Sequence, residues 1–167
     1  LPRALKYLFT AHDEDEVVVE MDGSQLEFRV AADESRDVTA QEEIVNGVDI
    51  HQFTMQTLLD NKDPEMLALP PEDRRQESKK HTFRPLFGGG SGSKALVAYC
   101  DFFKKKYKQL SETQLGWALK CASQGWFRTV YGMKFYFPGT RMQQSGYITN
   151  STMIYNYPIQ GFATGEI

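Results

Sequence analysis

The chain has 167 residues, 41% of them hydrophobic and 13% aromatic, which suffices for the core of one large domain or two small ones. No apolar run reaches the length of a membrane span, no signal peptide is recognisable, and two cysteines without metal-ligand spacing favour a reduced, cytosolic setting. The net charge of −3 divides into −9 over residues 1–50 (13 acidic, 4 basic) and +6 over residues 51–167 (9 acidic, 15 basic). An acidic third can host cations and a basic remainder can face phosphates, although two ordinary solvated faces would give the same totals.

The first informative stretch surrounds Asp22. Three consecutive valines, Val17–Val19, predict a short buried strand, and Gly23 permits a sharp turn after it. Ser24 and Glu27 form the capping-box pattern of a helix start, and that helix is predicted to run for about two and a half turns. Two interpretations of the carboxylates remain open here: a turn aspartate with a capping glutamate, or a metal-binding Asp22 with Glu27 on the same face.

Further elements follow from hydrophobic periodicity, caps and breakers. In chain order they are a helix to about Ala32, helix Val38–Val45, helix Ile50–Leu59 capped by Asp49, loop Asn61–Pro71, helix Glu72–Leu86, helix Lys94–Leu110, helix Glu112–Ser123, hairpin Phe127–Phe137, a mixed segment Ser145–Tyr155 and a final helix opening near Pro158.

The predicted helix Glu72–Leu86 carries a stripe of two cations followed by two aromatic residues at four-residue spacing. Its members are Arg75, Lys79, Phe83 and Phe87. Four-residue steps keep side chains on one helical face. An apolar core face would explain the two phenylalanines but not the two cations, since charged side chains are rarely in line with a core. The stripe therefore favours a phosphate clamp beside a flat surface for a base.

Together these segments resemble a family A DNA polymerase, the DNA polymerase I class, and most closely its phage-type members. The matching residues are Asp22–Arg29 (DGSQLEFR), Asp49-Ile50-His51, the stripe Arg75, Lys79, Phe83, Phe87 with Gly88, and finally Asn156, Pro158, Gln160 and Gly161. Three of these stretches are motifs of the family and Asp49-Ile50-His51 is a further fingers element; three motifs in the order of the family are far more specific than one.

The resemblance implies an α+β fold with a polymerase palm, built from an antiparallel sheet with helices, plus a helical fingers subdomain. Residues 1–46 would form the first part of the palm, residues 47–125 the fingers, and residues 126–167 the second part of the palm with the primer–template helix. This is an incomplete right-hand fold, because the thumb and an upstream arginine-bearing motif of the family are not in the sequence.

The resemblance also implies template-directed addition of a dNTP to a primer 3′ end, with two Mg²⁺ ions. Asp22 and the carbonyl of Gly23 would bind metal, and Asp22 and Lys79 would be the catalytic residues. His51, Arg75 and Lys79 would hold the triphosphate. The other implied contacts are Phe83 and Phe87 with the nucleotide, Glu27 as the steric gate against a 2′-hydroxyl, and Arg29, Asn156 and Gln160 with the primer–template.

The chain departs from the family pattern in several places. The second catalytic aspartate of the family, in a His-Asp motif, would lie beyond Ile167, and Leu1 is not an initiator methionine. Thr152 stands where many relatives carry an arginine, and Phe87 replaces the commoner tyrosine. We therefore expect missing segments or a second polypeptide to complete the site, and we expect the isolated chain to be poorly soluble or inactive.

Two other functions compete with a polymerase core working in the cytoplasm of a bacterial or phage-infected cell. The absence of the second aspartate would suit a catalytically inactive nucleotide- or DNA-binding module derived from a polymerase. Retention of Asp22, Arg75 and Lys79 argues against that module, because an inactive protein needs no metal aspartate. A purely structural scaffold has no positive sign in the sequence.

Overall fold

The computed structural model describes residues 8, 10–13, 15–17, 19 and 23–164. Helices dominate this part of the chain, and its two strands form one antiparallel sheet, so the predicted α+β class is confirmed. The elements are α1 Leu26–Ser35, α2 Val38–Val45, α3 Ile50–Asp60, α4 Pro64–Ala68, α5 Pro71–Thr82, α6 Lys94–Lys106, α7 Lys108–Gln124, β1 Trp126–Arg128, β2 Lys134–Tyr136 and α8 Ser151–Thr164. None of these helices is both long and apolar enough to cross a membrane.

The predicted buried strand near the N-terminus is wrong at its two described residues. Val17 and Val19 belong to no strand and are 82% and 71% exposed. Valine favours extended backbone, but a strand is stabilised by partner strands and by a core against one face. Asp22, which the same pattern places at the end of this segment, lies outside the described residues.

The start of α1 also differs from the prediction. Gln25 is its N-cap, with a left-handed φ of 54° and no side-chain capping hydrogen bond, so Ser24 is not the cap. The cap of α3, in contrast, is the one predicted from the sequence. Asp49 caps α3 by accepting hydrogen bonds from the backbone N–H groups of His51 and Gln52 at 3.0 and 3.1 Å. The capping-box pattern therefore misidentified the start of α1, whereas a single aspartate identified the start of α3.

Helix α5 ends four residues earlier than predicted. It stops at Thr82, with Phe83 as its C-cap, and residues 83–88 form turns. Pro85 accounts for the difference, because its ring disfavours helical backbone at the preceding residue and its nitrogen cannot donate a hydrogen bond. Phe83 and Phe87 therefore do not extend a helical face that carries Arg75 and Lys79, and that part of the prediction is wrong.

Three other helix boundaries differ from the predicted ones. The predicted loop Asn61–Pro71 contains the short helix α4, which Asp63 caps through the N–H of Met66 at 3.0 Å. The break between α6 and α7 falls at Tyr107, since its φ and ψ of −101° and 68° are not helical. The final helix begins at Ser151 and continues through Pro158 instead of opening there.

The hairpin is confirmed, with Trp126 opposite Tyr136, Phe127 opposite Phe135 and Arg128 opposite Lys134. Two clusters of buried side chains support the fold. The larger one joins α1–α4, the turn after α5, α6, α7 and α8, and includes Phe28, Ile50, Leu58, Leu86, Tyr99, Phe103, Tyr107 and Ile159. The smaller one joins α7, the hairpin and α8, and includes Trp117, Cys121, Phe127, Phe137 and Ile154.

One buried carboxylate joins two helix N-termini. Asp37 is 2% exposed and accepts hydrogen bonds from the N–H of Ala40 in α2, at 3.0 Å, and the N–H of Leu110 in α7, at 3.1 Å. Gln109 of α7 in turn accepts from the N–H of Val38 at 3.0 Å. The first N–H groups of a helix have no partner within the helix and carry partial positive charge, so one anion serves both ends.

A second buried carboxyl group connects α1 to the hairpin. Glu34 is 2% exposed, and its Oε2 accepts a hydrogen bond from the N–H of Val130 at 3.1 Å. Burial raises the pKa of Glu34 above its usual value, and the hydrogen bond from the N–H of Val130 only partly opposes that increase. Nearby, the hydroxyl of Tyr131 donates to the carboxylate of Asp33, which attaches the hairpin loop to α1 a second time.

Glu34→Gln should raise the thermal unfolding midpoint at pH 8 relative to the wild type. Because the folded-state pKa is raised, the folded protein holds this proton more tightly than the unfolded chain, and stability falls as pH rises through the folded-state pKa. Glutamine has the same shape, keeps an acceptor for Val130 and cannot ionise. Melting curves at pH 4 and pH 8 should show the advantage only at the higher pH; an equal difference at both values would contradict this account.

Candidate nucleotide-binding site

Helices α3 and α5 pack side by side through a network of buried hydroxyl groups. Thr54 and Thr82 are fully buried, and their hydroxyl oxygens lie 3.1 Å apart. Tyr99 of α6 extends the network, with its hydroxyl 3.0 Å from that of Thr54 and donating to the Thr82 carbonyl at 2.8 Å. Ser78 donates to the carbonyl of His51 at 2.9 Å. Buried polar networks with satisfied partners hold elements in one arrangement, so the relative position of α3 and α5 is well defined.

This packing orients the imidazole of His51. Its Nδ1 lies 2.9 Å from the hydroxyl of Thr82, and its ring meets that of Phe83 edge to face at 5.6 Å. Burial lowers the pKa of His51; the positive charges of Arg75 and Lys79 lower it further, and Asp49 opposes both effects. The ring is therefore neutral at pH 7 in the free protein. Because these cations act on one imidazole, the three groups that the sequence assigned to a triphosphate share one region.

The guanidinium of Arg75 is held by the carboxylate that caps α3. Its Nε and Nη2 donate to Oδ2 of Asp49 at 2.8 and 2.6 Å, while Oδ1 caps the helix. Burial raises the pKa of Asp49, but hydrogen bonds from Arg75 and from the backbone of Gln52 and His51 outweigh it, so the pKa is below its usual value. The pair is about half exposed. Asp49 therefore fixes the direction of Arg75 and leaves its other N–H groups for an anion.

Lys79 is exposed, one helical turn beyond Arg75, in a helix whose last turn is basic. It forms no ion pair with any described carboxylate, in contrast to its neighbour Lys80, which pairs with Glu77 at 2.7 Å. Lys79 is thus available to an anionic ligand, whereas Arg75 is held in one direction by Asp49.

The aromatic residues of the stripe lie in the turn after α5 and pack inward. Phe83 is half-buried, with its ring centroid 6.2 Å from that of Phe28 in α1. Phe28 in turn meets Tyr107 edge to face at 5.2 Å. Phe87 is also half-buried against the larger core cluster. The turn therefore presents Phe83 beside His51 while anchoring it to α1.

Gly88 brings this turn close to α8. Its φ of 81° favours glycine, and a β-carbon there would lie 3.1 Å from the Tyr155 ring. A cleft of about 380 Å³ opens beside this contact. Its lining includes Pro85, Gly88, Lys104, Gln114, Tyr147 and Tyr155.

The remaining predicted site residues lie on α1 and α8 and just before α1. Gly23 is exposed, Glu27 is half-buried in the first turn of α1, and Arg29 is exposed with its Nε donating to the Ser24 carbonyl at 2.9 Å. On α8, Gln160 is exposed, and the side-chain oxygen of Asn156 is buried without a partner among the described residues. Within the described part of the chain, no hydrogen bond, ion pair or ring contact joins Glu27, Asn156 or Gln160 to the cluster of His51, Arg75 and Lys79.

Sequence reasoning missed the groups that orient this site. Thr54, Ser78 and Thr82 look like ordinary polar residues of amphipathic helices, and nothing local marks them as partners of His51. The Asp49–Arg75 pair spans 26 positions. Only the charge of Asp49 at a helix start hinted at a cationic partner.

The described residues do not by themselves form a metal site. Within residues 23–164 and the described positions before them, no group of three or more His, Cys, Asp or Glu side chains could hold an ion. Asp22 lies outside that part of the chain. Of the two predicted metal ligands, the structure therefore describes only Gly23, which is exposed.

The sequence pattern of DNA polymerase family A matches residues 1–166, nearly the entire chain. The chain belongs to DNA polymerase family A. The resemblance inferred from the three motifs is therefore confirmed.

Two similar proteins are much longer than this chain. DNA polymerase theta of Mus musculus is 25% identical over 134 residues, which are 75% of this chain and 5% of that protein. The solved POL domain of Pol1 from M. smegmatis, in complex with DNA primer-template and dNTP, superposes with a TM-score of 0.56 at 20% identity. That likeness covers 83% of this chain and 25% of the other, and at this identity it shows the fold alone.

Proposed function

We propose that this chain is the palm-and-fingers part of a DNA-directed DNA polymerase that adds dNTPs to a primer 3′ end. The observation that carries the proposal is the cluster of His51, Arg75 and Lys79 on the packed pair α3–α5, in a chain of family A. Residues 1–46 and 126–167 are assigned to the palm and residues 47–125 to the fingers. The term assembled polymerase denotes this chain together with any segments or partner chains that complete its site. It is proposed to work in the cytoplasm of a bacterial or phage-infected cell.

The triphosphate is assigned to the cationic face of α5. A dNTP carries a cluster of phosphate charges, and Arg75 offers a planar fork of N–H donors that Asp49 already orients. Lys79 supplies a point charge that no carboxylate of the described residues pairs with, and His51 adds a donor beside them. The ring of Phe83 lies next to His51, so the sugar and base are assigned to Phe83, with Phe87 packing behind the same turn.

The primer–template is assigned to α8 and to Arg29. Residues 151–164 contain no charged side chain, so contacts there are hydrogen bonds through Asn156 and Gln160. The amide oxygen of Asn156, buried without a partner among the described residues, is a hydrogen-bond acceptor for a donor on a base or sugar. Asp22 and the Gly23 carbonyl are assigned to magnesium; in the complete site two such ions stabilise the attacking and leaving oxygens of the displacement.

Lys79→Ala and Arg75→Ala should each weaken dNTP use by the assembled polymerase about tenfold to a hundredfold, with little change in primer–template affinity. A hydrogen bond to a charged group contributes about 1.5–3 kcal/mol, which sets this range. The measurement is the KM for dNTP in primer extension, together with the Kd for a labelled primer–template.

The adjacent residues provide matched controls. Lys80 pairs with Glu77, and Arg74 donates to the carbonyl of Leu69 at 3.0 Å, so neither is assigned to the nucleotide. Lys80→Ala and Arg74→Ala should leave the KM for dNTP near that of the wild type. Equal losses in dNTP use and DNA binding for Lys79→Ala would mean that α5 faces the duplex, and the assignment would fail.

Glu27→Ala should improve the use of ribonucleotides relative to deoxyribonucleotides. The capping alternative for Glu27 is weakened because the capping box does not form at α1, while its half-buried carboxylate fits a group that excludes a 2′-hydroxyl sterically. Competing rNTP and dNTP incorporation measures the ratio, and Glu27→Gln, of nearly the same size, should keep most of the discrimination. An unchanged ratio in Glu27→Ala would remove Glu27 from the sugar site.

A further inference from the structure

The outer face of the hairpin carries two aromatic and two cationic side chains. Successive residues of a strand point to opposite faces. Phe127 is fully buried and stacks on Trp117 at 5.1 Å, so the inner face packs on α7. Trp126, Arg128, Lys134 and Tyr136 therefore share the outer face, as two directly opposed pairs. Tyr136 is 64% exposed, so much of its ring is open to a ligand.

The cations on this face form no ion pair with an acidic side chain in the described part of the chain. The ammonium of Lys134 lies between the rings, 3.9 Å from the centroid of Trp126 and 4.7 Å from that of Tyr136. Arg128 extends across the turn and donates to the carbonyl of Gly132 at 2.5 Å. Residues 126–164 contain three basic residues and no aspartate or glutamate. This segment is thus positively charged and complements a polyanion; the carboxyl groups of Asp33 and Glu34 in α1 contact the hairpin only at its turn, through Tyr131 and Val130.

We propose that this hairpin face binds single-stranded DNA, with bases stacked on both Trp126 and Tyr136 and the adjacent phosphates paired with Lys134 and Arg128. Surfaces that bind single strands combine aromatic rings, on which unpaired bases stack, with cations that follow the backbone. Duplex DNA cannot use the rings, because its bases are already stacked on one another. The choice of DNA as the nucleic acid rests on the proposed polymerase function.

The present position of Lys134 is compatible with this role. A lysine has a flexible four-carbon stem, and a cation–π contact at an exposed site is weak, about 0.5–1 kcal/mol. An incoming base can displace the ammonium from the ring, and the ammonium can then reach a phosphate of the same strand. A protein partner would also use tryptophan, tyrosine and arginine, but the absence of carboxylates over residues 126–164 favours a polyanion.

Tryptophan fluorescence tests the proposal directly, because the sequence has only Trp117 and Trp126 and the former is 5% exposed. Titration of the chain with a short oligothymidine should quench Trp126, and Trp126→Ala should abolish the quenching. Fluorescence anisotropy of the labelled oligonucleotide should show affinity losses of about fivefold to a hundredfold for Trp126→Ala and Tyr136→Ala, the range for one lost stacking contact. Lys134→Ala should weaken binding and reduce its dependence on salt.

The controls separate this surface from general charge and from the nucleotide site. Lys94→Ala removes an equal charge from an exposed position at the start of α6 and should change affinity much less than Lys134→Ala. Tyr136→Ala should leave the KM for dNTP unchanged, so this proposal and the polymerase assignment can fail independently. Wild-type affinity in Tyr136→Ala, binding without quenching, or equal competition by a blunt duplex would each overturn the proposal; in the last case the surface only attracts phosphate.

Discussion

Replacing Asp22 with alanine is expected to reduce primer extension by the assembled polymerase to background while leaving its unfolding unchanged. Asp22 opens the DGSQLEFR motif of a chain that belongs to family A. No described group of three or more His, Cys, Asp or Glu side chains could substitute for it in holding a metal ion. Loss of a metal carboxylate removes charge stabilisation that a hydrogen bond elsewhere in the site cannot replace.

A second acidic residue of the same segment gives the control. Asp15 is exposed, seven positions earlier, and is assigned no role, so Asp15→Ala should extend a primer at the wild-type rate. Thermal melts of both variants separate a missing ligand from a folding defect, and extension should be followed across a range of magnesium concentrations. Near wild-type extension by Asp22→Ala would show that Asp22 does not hold the metal and would leave the inactive binding module as the better description.

Asp37→Ala should have the largest effect on stability among the changes considered, about 2–4 kcal/mol in the free energy of unfolding. The substitution removes the acceptor for two buried N–H groups at the start of two helices, and loss of one such cap costs about 0.5–2 kcal/mol. For a chain of this length, that corresponds to a decrease of about 5–15 °C in the midpoint. Chemical denaturation followed by circular dichroism measures the difference.

The amide variant tests whether both helix ends depend on this one side chain. Asp37→Asn keeps one oxygen acceptor, but its NH₂ group cannot accept from the second helix, so its loss should be intermediate. Asp101→Ala, at an exposed position of α6, should change the free energy of unfolding by less than about 0.5 kcal/mol. A loss of that small size for Asp37→Ala would mean that water or backbone rearrangement satisfies both N–H groups.

Much of the secondary structure and the family follow from the sequence, because their signals are local. Asp49 indicated the start of α3, Asn46-Gly47 the end of α2, and alternating residues around Tyr131-Gly132 the hairpin, each through contacts within a few positions. The family motifs are likewise short runs with fixed spacing. One error could have been avoided from the sequence itself. The spacing of charged and hydrophobic residues predicted too long an α5, whereas Pro85 indicates an earlier end.

The chemistry-bearing contacts of the site, in contrast, were decided by the tertiary structure. Asp49 appeared in the sequence as a cap only, yet it also holds Arg75, 26 positions away, and Asp37 serves a second helix 73 positions away. The same applies to His51: its orientation depends on the Thr82 hydroxyl, and its pKa is lowered by burial and by the charges of Arg75 and Lys79. The sequence determined by itself which residues carry charge, cap helices and match the family, because those properties are intrinsic or local. Which partner each charge meets, and how deeply it is buried, depends on helices brought together by the core, and that arrangement exists only in the folded chain.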